Sequence, residues 1–268
     1  MTLAAPIALR LRRRLTRLRL TTLAAAIVAG LGFGVAAPAR AQVDLGAGLS
    51  LTGTVAGTTD YLFRGISQTR NRPTVQGTLE LSHESGVYIG AFLSGVAFQG
   101  GYDARQELDL TAGYRFEIGP VKFDTYVIGY TYPGYTAQPG FQELAYLEVG
   151  ARGTIELGDF TLTAAANYSP NYFGRSGSGV YIEGGVDYKV PVLELVLSGR
   201  LGYQFIERPA RFGITPDSYL YYGVSVSREI AYGITASVGY YGTDLSEREC
   251  GGLKICNSRF LASLTLKF

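Results

Sequence analysis

The 268-residue sequence contains no tryptophan, one methionine and one histidine, and it has no long apolar run after residue 41. A membrane-spanning helix needs roughly 18 or more consecutive apolar residues, so residues 42–268 predict no such helix. Because lipid leaves exposed backbone polar groups unpaired, a membrane protein without spanning helices must form a closed β-barrel. The 36 glycines, 20 tyrosines and 13 phenylalanines are also not typical of a helical protein.

Side chains that carry enzyme chemistry are scarce. His83 is the only histidine, and it falls in a predicted tight turn without a second histidine or a neighbouring nucleophile. The glycines are spread through predicted strands and form no phosphate-binding loop. Interior carboxylates could form an acid pair, but in barrels such residues more often tune ion passage or pair across the lumen. We therefore expect no enzyme activity, no metal and no cofactor.

Residues 1–41 have the features of a cleaved signal peptide. A cluster of arginines precedes the apolar segment 20–37, and Ala39-Arg40-Ala41 matches a cleavage site before Gln42. The alternative is an uncleaved N-terminal anchor, which the glycines and the cleavage site disfavour. The segment holds seven of the 24 basic residues and none of the 22 acidic ones, which leaves 17 basic residues and a net charge of −5. This balance predicts no nucleic-acid partner.

The last ten residues, Arg259–Phe268, alternate between apolar and mostly polar or small side chains. This period of two predicts a strand with one apolar face, which we expect to pair with the first strand and close a transmembrane barrel. The terminal phenylalanine is similar to the C-terminal signal of bacterial outer-membrane proteins, which implies recognition by the outer-membrane barrel assembly machinery. The residues expected to form this assembly signal are Phe260, Leu264, Leu266 and Phe268.

The same alternation recurs along the chain and predicts one all-β domain over residues 42–268, a closed antiparallel transmembrane barrel of about 12 strands. Most runs have about ten residues, the length of a tilted strand that crosses a bilayer. A soluble all-β sandwich is the alternative fold, but it would leave an open edge. The predicted strands cover residues 50–63, 73–82, 87–98, 106–117, 121–132, 143–156, 160–169, 180–190, 194–205, 219–229, 233–243 and 258–268.

The predicted connections alternate between short turns and longer loops, such as Gly119-Pro120 against residues 133–142. Outer-membrane barrels have short periplasmic turns and longer extracellular loops, so this order predicts that both termini are periplasmic and that the barrel lies in outer-membrane lipid. Aromatic residues near predicted strand ends are expected to form interfacial girdles. These are Tyr61, Phe63, Tyr130, Tyr132, Tyr219, Tyr221, Tyr222, Tyr240 and Tyr241.

Nearly all charged residues within the predicted strands keep one parity, opposite to residues such as Leu110, Leu147, Ile182 and Leu201. A charge on the lipid face costs about 2–4 kcal/mol at the bilayer midplane, so this parity places the charges in the lumen. The excess of acids predicts a mild cation preference. The expected inward charges are Glu80, Glu107, Asp109, Asp124, Glu148, Glu156, Glu183 and Asp187, with Arg115, Lys122, Arg152, Lys189 and Arg200.

Residues 60–69 read DYLFRGISQT, and residues 77–86 read GTLELSHESG followed by VYIGAF. These stretches resemble the TorF-type porin family of proteobacterial outer-membrane proteins, and the resemblance runs from about residue 50 to the end. It implies a barrel that acts as a channel. Parity with Tyr61 and Phe63 outside places Asp60 and Arg64 inward at the outer end of the first strand. They either line a constriction or tie the first loop to the barrel mouth.

These patterns predict a passive outer-membrane pore for small polar solutes. The alternative is a non-conducting barrel, closed by Tyr126, Tyr130, Arg152 and the interior acids, with a structural or surface-adhesion role. Cys250 and Cys256 lie in the last long loop, and in an exported protein they predict a disulfide, although free thiols or a metal pair are possible. The candidate pore-lining residues are Asp60, Arg64, Glu107, Asp109, Arg115, Glu148, Arg152, Glu183, Asp187 and Arg200.

Overall fold

The computed structural model describes residues 42–98 and 102–268, so the predicted signal peptide lies outside the described residues. The strands form a closed antiparallel barrel whose wall contains β2 and β5 to β15, which confirms the prediction of twelve strands. The strands are β1 (Val43–Gly46), β2 (Leu49–Thr58), β3 (Leu62–Phe63), β4 (Ile66–Ser67), β5 (Thr74–His83), β6 (Val87–Gly95), β7 (Gln106–Ile118), β8 (Val121–Thr131), β9 (Tyr146–Leu157), β10 (Phe160–Ser169), β11 (Gly179–Val190), β12 (Leu195–Ile206), β13 (Ser218–Ala231), β14 (Ile234–Thr243) and β15 (Arg259–Lys267).

Helical structure is confined to one four-residue helix, α1 (Pro209–Phe212), and one 3₁₀ turn at Phe173–Arg175 within the described ranges. Both lie in connections between strands. Over residues 42–98 and 102–268, no helix is long and apolar enough to cross a membrane.

The first and last wall strands close the barrel. β15 pairs with β2 from Ser263 opposite Thr58 to Lys267 opposite Thr54. The Phe268 backbone then exchanges hydrogen bonds of 2.8 and 2.9 Å with Gly53. At the N-terminal end of β2, which β15 does not reach, β2 pairs with β1 instead. The predicted pairing of the last strand with the first is confirmed.

Apolar side chains cover the outside of the wall, because a strand turns successive residues to opposite faces. Leu110, Leu147, Ile182 and Leu201, all predicted to face outward, are exposed apolar residues. The four residues of the predicted assembly signal are exposed as well, and Phe260 is 76% exposed. An exposed apolar band of this kind suits contact with lipid rather than water.

Connections at one end of the barrel contain two to four residues, whereas those at the other end contain nine to 15. We name these the short-turn end and the long-loop end. The alternation matches the predicted order. Most strand bounds agree with the sequence prediction within one or two residues, but the predicted run 143–156 begins at Tyr146 and the run 87–98 ends at Gly95.

The first long connection, residues 59–73, folds into the lumen, and we name it the inserted loop. The first strand ends at Thr58, so its predicted extension to residue 63 is wrong. β3 and β4 form a small hairpin inside the barrel, turned by Arg64 and Gly65 with φ of 49° and 81°. Positive φ at both central residues is the geometry of a tight hairpin turn. A Cβ at Gly65 would lie 2.6 Å from Thr243 Cγ2, so glycine is also required by space.

Several aromatic residues predicted for the interfacial girdles lie inside the barrel instead. Tyr61 and Phe63 belong to the inserted loop, where Phe63 contacts the ring of Tyr130 edge-on at 5.8 Å. Tyr132 and Tyr219 are also buried, whereas Tyr222 and Tyr240 are exposed on the outer face. The aromatic residues therefore fill the space around the inserted loop as well as facing the exterior. The girdle prediction was wrong for these residues because an aromatic ring can be buried by packing inside the lumen as well as at the membrane interface.

Candidate functional site

The tip of the inserted loop carries Arg64 across the lumen to Glu148 on β9. Arg64 Nη2 lies 2.7 Å from Glu148 Oε2, and Nη1 lies 2.9 Å from Oε1. The two side chains are 7% and 1% exposed. Bidentate arginine–carboxylate pairs are among the strongest hydrogen-bonded contacts in proteins, and they fix both partners in orientation. The pair therefore fixes the loop tip to the opposite wall.

Three further wall residues surround this pair. Gln204 Oε1 accepts a hydrogen bond of 2.7 Å from Arg64 Nη1, and the Tyr130 hydroxyl donates to Glu148 Oε2 at 3.1 Å. The Arg64 guanidinium also lies 4.1 Å from the centre of the Tyr181 ring, a cation–π contact. Strands β8, β9, β11 and β12 thus all hold the loop tip. This side of the lumen is filled.

The base of the inserted loop is held by Asp60, which is 3% exposed. Its Oδ1 accepts hydrogen bonds of 2.6 Å from the hydroxyls of Ser67 and Thr69. Its Oδ2 accepts a hydrogen bond of 2.9 Å from Arg259 Nη1 on β15. Asp60 therefore folds the loop on itself and ties it to the last strand, while Arg64 narrows the lumen.

Glu107 and Asp109 lie on β7, two residues apart, and both face inward. Glu107 is 3% exposed and accepts a hydrogen bond of 2.6 Å from the Tyr61 hydroxyl of the inserted loop. Asp109 is 7% exposed, and its Oδ1 has no hydrogen-bond partner among the described residues. A buried carboxylate oxygen without a partner is unusual, because desolvation without a compensating contact is costly.

Charges nearer the short-turn end form pairs along the wall. Arg115 makes a bidentate contact with Glu80, at 2.6 and 2.7 Å. Arg200 contacts Asp187 at 2.8 Å, and Lys122 contacts Glu156 at 2.9 Å. The partners lie on neighbouring strands or on strands separated by one, so these pairs run along the wall rather than across the lumen.

Two remaining candidates make no ion pair with any residue of the described chain. Glu183 accepts a hydrogen bond of 2.7 Å from the Tyr181 hydroxyl. Arg152 borders a cavity of about 340 Å³ together with Glu80, Arg115 and Asp124. All ten predicted pore-lining residues thus have positions in the barrel interior or the inserted loop, but they form separate groups.

Two further cavities lie on opposite sides of the inserted loop. The cavity toward the long-loop end has a volume of about 310 Å³, and its wall includes Glu107 and the aromatic rings of Tyr132, Tyr146 and Tyr172. The cavity toward the short-turn end has a volume of about 470 Å³, and its wall includes Asp109. Phe63 borders both cavities. The loop therefore narrows the lumen but leaves space above and below.

The other long loops brace the inserted loop from the long-loop end of the barrel. Cys250 and Cys256 form the predicted disulfide, and both are buried. Next to this bridge, Ile255 O accepts a hydrogen bond of 2.9 Å from Ser67 N of the inserted loop. The disulfide loop therefore packs directly on the inserted loop.

A second brace joins the loops that follow β10 and β12. Glu207 Oε2 accepts hydrogen bonds from Ser178 N at 2.8 Å and from Ser178 Oγ at 3.0 Å. These bonds, the backbone one first, stabilise the ionised carboxylate and lower the pKa of Glu207 below its ordinary value.

Residues 43–268 match the family model described as "Bacterial protein of unknown function (Gcw_chp)". The chain belongs to this family. The match includes every strand of the barrel, the inserted loop and the disulfide loop. A comparison with curated proteins finds no match.

Solved structures with similar folds include two porins. The KdgM porin in complex with disordered oligogalacturonate is 8% identical, with 81% of this chain and 99% of that chain covered and a TM-score of 0.54. The NanC porin is 9% identical, with 81% and 98% covered and a TM-score of 0.54. This Gcw_chp member therefore has an outer-membrane porin fold.

Strand parity predicts that Glu148 faces inward, but it does not identify the residues that contact the inserted loop and the Arg64–Glu148 pair. Tyr61, Tyr172 and Tyr181 were not among the candidates, and neither was Arg259, which binds Asp60. For Tyr181 the signal was present, because it shares its strand parity with Glu183 and Asp187. For Tyr172, which lies in a long loop, the sequence offers no periodic signal.

Proposed function

We propose that this protein is an outer-membrane channel of the TorF-type porin kind, through which small polar solutes diffuse with a mild preference for cations. The observation that carries the proposal is the inserted loop, which narrows the lumen at Arg64 and Glu148 while cavities remain on both of its sides. A loop folded into a barrel and fixed to the opposite wall gives a restricted pathway rather than a wide pore. The resemblance of residues 60–69 to that porin family supports the same conclusion.

The proposed orientation follows from the loop lengths. The long-loop end faces the exterior and the short-turn end faces the periplasm, as in barrels of this class. Export by the signal peptide and insertion by the barrel assembly machinery, directed by the strand that ends at Phe268, would bring the chain to the outer membrane.

Charge at the level of the inserted loop supports a cation preference. Four buried carboxylates lie there, and two arginines face them. Fixed charges that line a pore set its ion preference, because they raise the local concentration of the opposite charge. The carboxylates are Asp60, Glu107, Asp109 and Glu148, and the arginines are Arg64 and Arg259.

Conductance in planar lipid bilayers tests the proposal. Purified protein should give discrete conductance steps, and its reversal potential in a KCl gradient should have the sign of cation selectivity. Arg64→Gln and Arg152→Gln should raise cation selectivity, and Glu148→Gln should lower it. Absence of conductance from correctly folded barrels would overturn the proposal in favour of a non-conducting barrel with a structural or adhesive role.

A further inference from the structure

The inserted loop fills the two sides of the lumen unequally. On the side of β9 to β12, Arg64 contacts Glu148 and Gln204, and both of these wall side chains are completely or almost completely buried. The cavity of about 470 Å³ adjoins strands on the other side of the lumen, including β5 to β7, whereas the cavity of about 310 Å³ lies among the long loops and reaches β7 at Glu107. Strand β7 lines both cavities, through Glu107 and Asp109, so a solute that crosses the loop along this strand passes from one cavity to the other.

Two aromatic residues of the inserted loop lie beside β7 at the boundary between the two cavities. Phe63 borders both cavities, and Tyr61 borders the cavity toward the short-turn end. The Tyr61 hydroxyl donates its hydrogen bond to Glu107, which borders the other cavity. Glu107 and Asp109 thus lie on either side of this boundary, about 7 Å apart along the strand, since an antiparallel strand rises about 3.4 Å per residue.

We propose that small cations cross the inserted loop along β7, passing from Glu107 to Asp109 when Tyr61 and Phe63 move aside. This inference rests on the proposed channel function and assigns its route and its selectivity-determining residues. Asp109 Oδ1 is buried, lacks a partner in the described chain, and belongs to a residue that lines the inner cavity. It is therefore placed to replace part of the hydration shell of a passing cation.

The hydrogen bond between Tyr61 and Glu107 couples the entry of a cation to the movement of Tyr61. A cation at Glu107 competes with the Tyr61 hydroxyl for the same carboxylate, so its arrival weakens the bond that holds Tyr61 in place. The aromatic walls of the outer cavity, Tyr132, Tyr146 and Tyr172, offer ring faces that also attract cations.

The test compares reversal potentials of single variants in planar bilayers under a KCl gradient. Glu107→Gln and Asp109→Asn should each lower the cation-to-anion permeability ratio severalfold. Glu156→Gln is the matched control, because Glu156 is an expected inward acid that pairs with Lys122 and lies outside both cavity linings. Its effect should be small. Heat-modifiable migration of each variant shows that the barrel is folded.

Phe63→Ala removes a ring at the boundary between the cavities and should raise single-channel conductance. In the double variant Phe63→Ala/Asp109→Asn, this larger conductance should no longer be cation-selective. If the wild type conducts and neither Glu107→Gln nor Asp109→Asn changes the permeability ratio more than Glu156→Gln does, the route is wrong while the channel function stands. If the wild type and Phe63→Ala are both silent, the channel function itself fails.

Discussion

Arg64 and Glu148 are 84 residues apart in the sequence, yet their side chains form a bidentate, buried ion pair inside the barrel. The pair joins a loop of irregular structure to a regular wall strand. Because each partner is almost fully buried, each depends on the other for compensation of its charge. The inserted position of the loop therefore depends on this contact.

The first prediction concerns the stability of this pair. Arg64→Gln should destabilise the barrel by about 3–5 kcal/mol, because it leaves the Glu148 carboxylate buried without its cation. The double variant with Glu148→Gln should recover part of the loss, which a double-mutant cycle of urea unfolding in lipid bilayers would measure.

The exposed pair of Lys122 and Glu156 provides the control, since its side chains are 57% and 56% exposed. Breaking this pair should have little effect on unfolding, because exposed ion pairs are screened by solvent. Equal coupling energies for the two pairs would contradict the structural role given to Arg64 and Glu148.

The barrel wall was predictable from the sequence because two environments impose a period of two on it. Lipid excludes charge from one face, so acids such as Glu107 and Glu148 had to point inward. This same period of two made the inserted loop unpredictable. Tyr61 and Phe63 continue the parity of the first strand, and an aromatic ring is as compatible with a packed lumen as with lipid.

The pairing of interior charges could not be predicted from the sequence, for a different reason. Parity fixes the face of a side chain but not its neighbour across the lumen, which depends on how the inserted loop folds. The sequence leaves open whether Asp60 and Arg64 tie the first loop or line a constriction, and a pore-lining role for them stays a prediction. Asp60 ties the loop to Arg259, whereas Arg64 crosses the lumen.

The second prediction concerns orientation in the membrane. An epitope tag inserted near Gly177 or Phe212, both at the long-loop end, should be accessible on intact cells. A tag near Gly158, in the short turn between β9 and β10, should be accessible only after the outer membrane is permeabilised. Antibody labelling measures both, and surface labelling at Gly158 alone would reverse the proposed orientation.

The third prediction concerns closure of the barrel. Deletion of Phe268 removes both backbone hydrogen bonds to Gly53 and a ring that packs so closely on Gly53 that a Cβ there would lie 2.7 Å from Phe268 Cε2. Deletion, or Phe268→Asp, should therefore reduce the yield of heat-modifiable barrel in the outer membrane. Phe268→Tyr keeps the ring and should assemble normally. An unchanged yield from the deletion variant would show that the terminal residue is dispensable for assembly.

The fourth prediction concerns the disulfide between Cys250 and Cys256. Both thiols should resist alkylation in the unreduced, denatured protein and should react after reduction. Replacing both with serine should cost about 2 kcal/mol in the chain-entropy model, because the bridge closes a short loop. The barrel should still assemble, since its wall strands do not depend on this loop. Complete alkylation without reduction would refute the bridge.

The last prediction concerns pH and the brace between Glu207 and Ser178. Because the folded state lowers the pKa of Glu207, the brace contributes fully above the ordinary glutamate pKa of about 4.3. Its contribution is lost as the pH falls through the lower folded pKa, where the carboxylate becomes protonated. Amide hydrogen exchange in residues 173–178, corrected for the intrinsic rate, should therefore be slow at neutral pH and faster in acid. Glu207→Gln should exchange faster at neutral pH and lose most of the pH dependence, whereas Glu194→Gln at the short-turn end should behave as the wild type does. Equal protection of this segment at neutral and acid pH in the wild type would show that the carboxylate does not hold the loop.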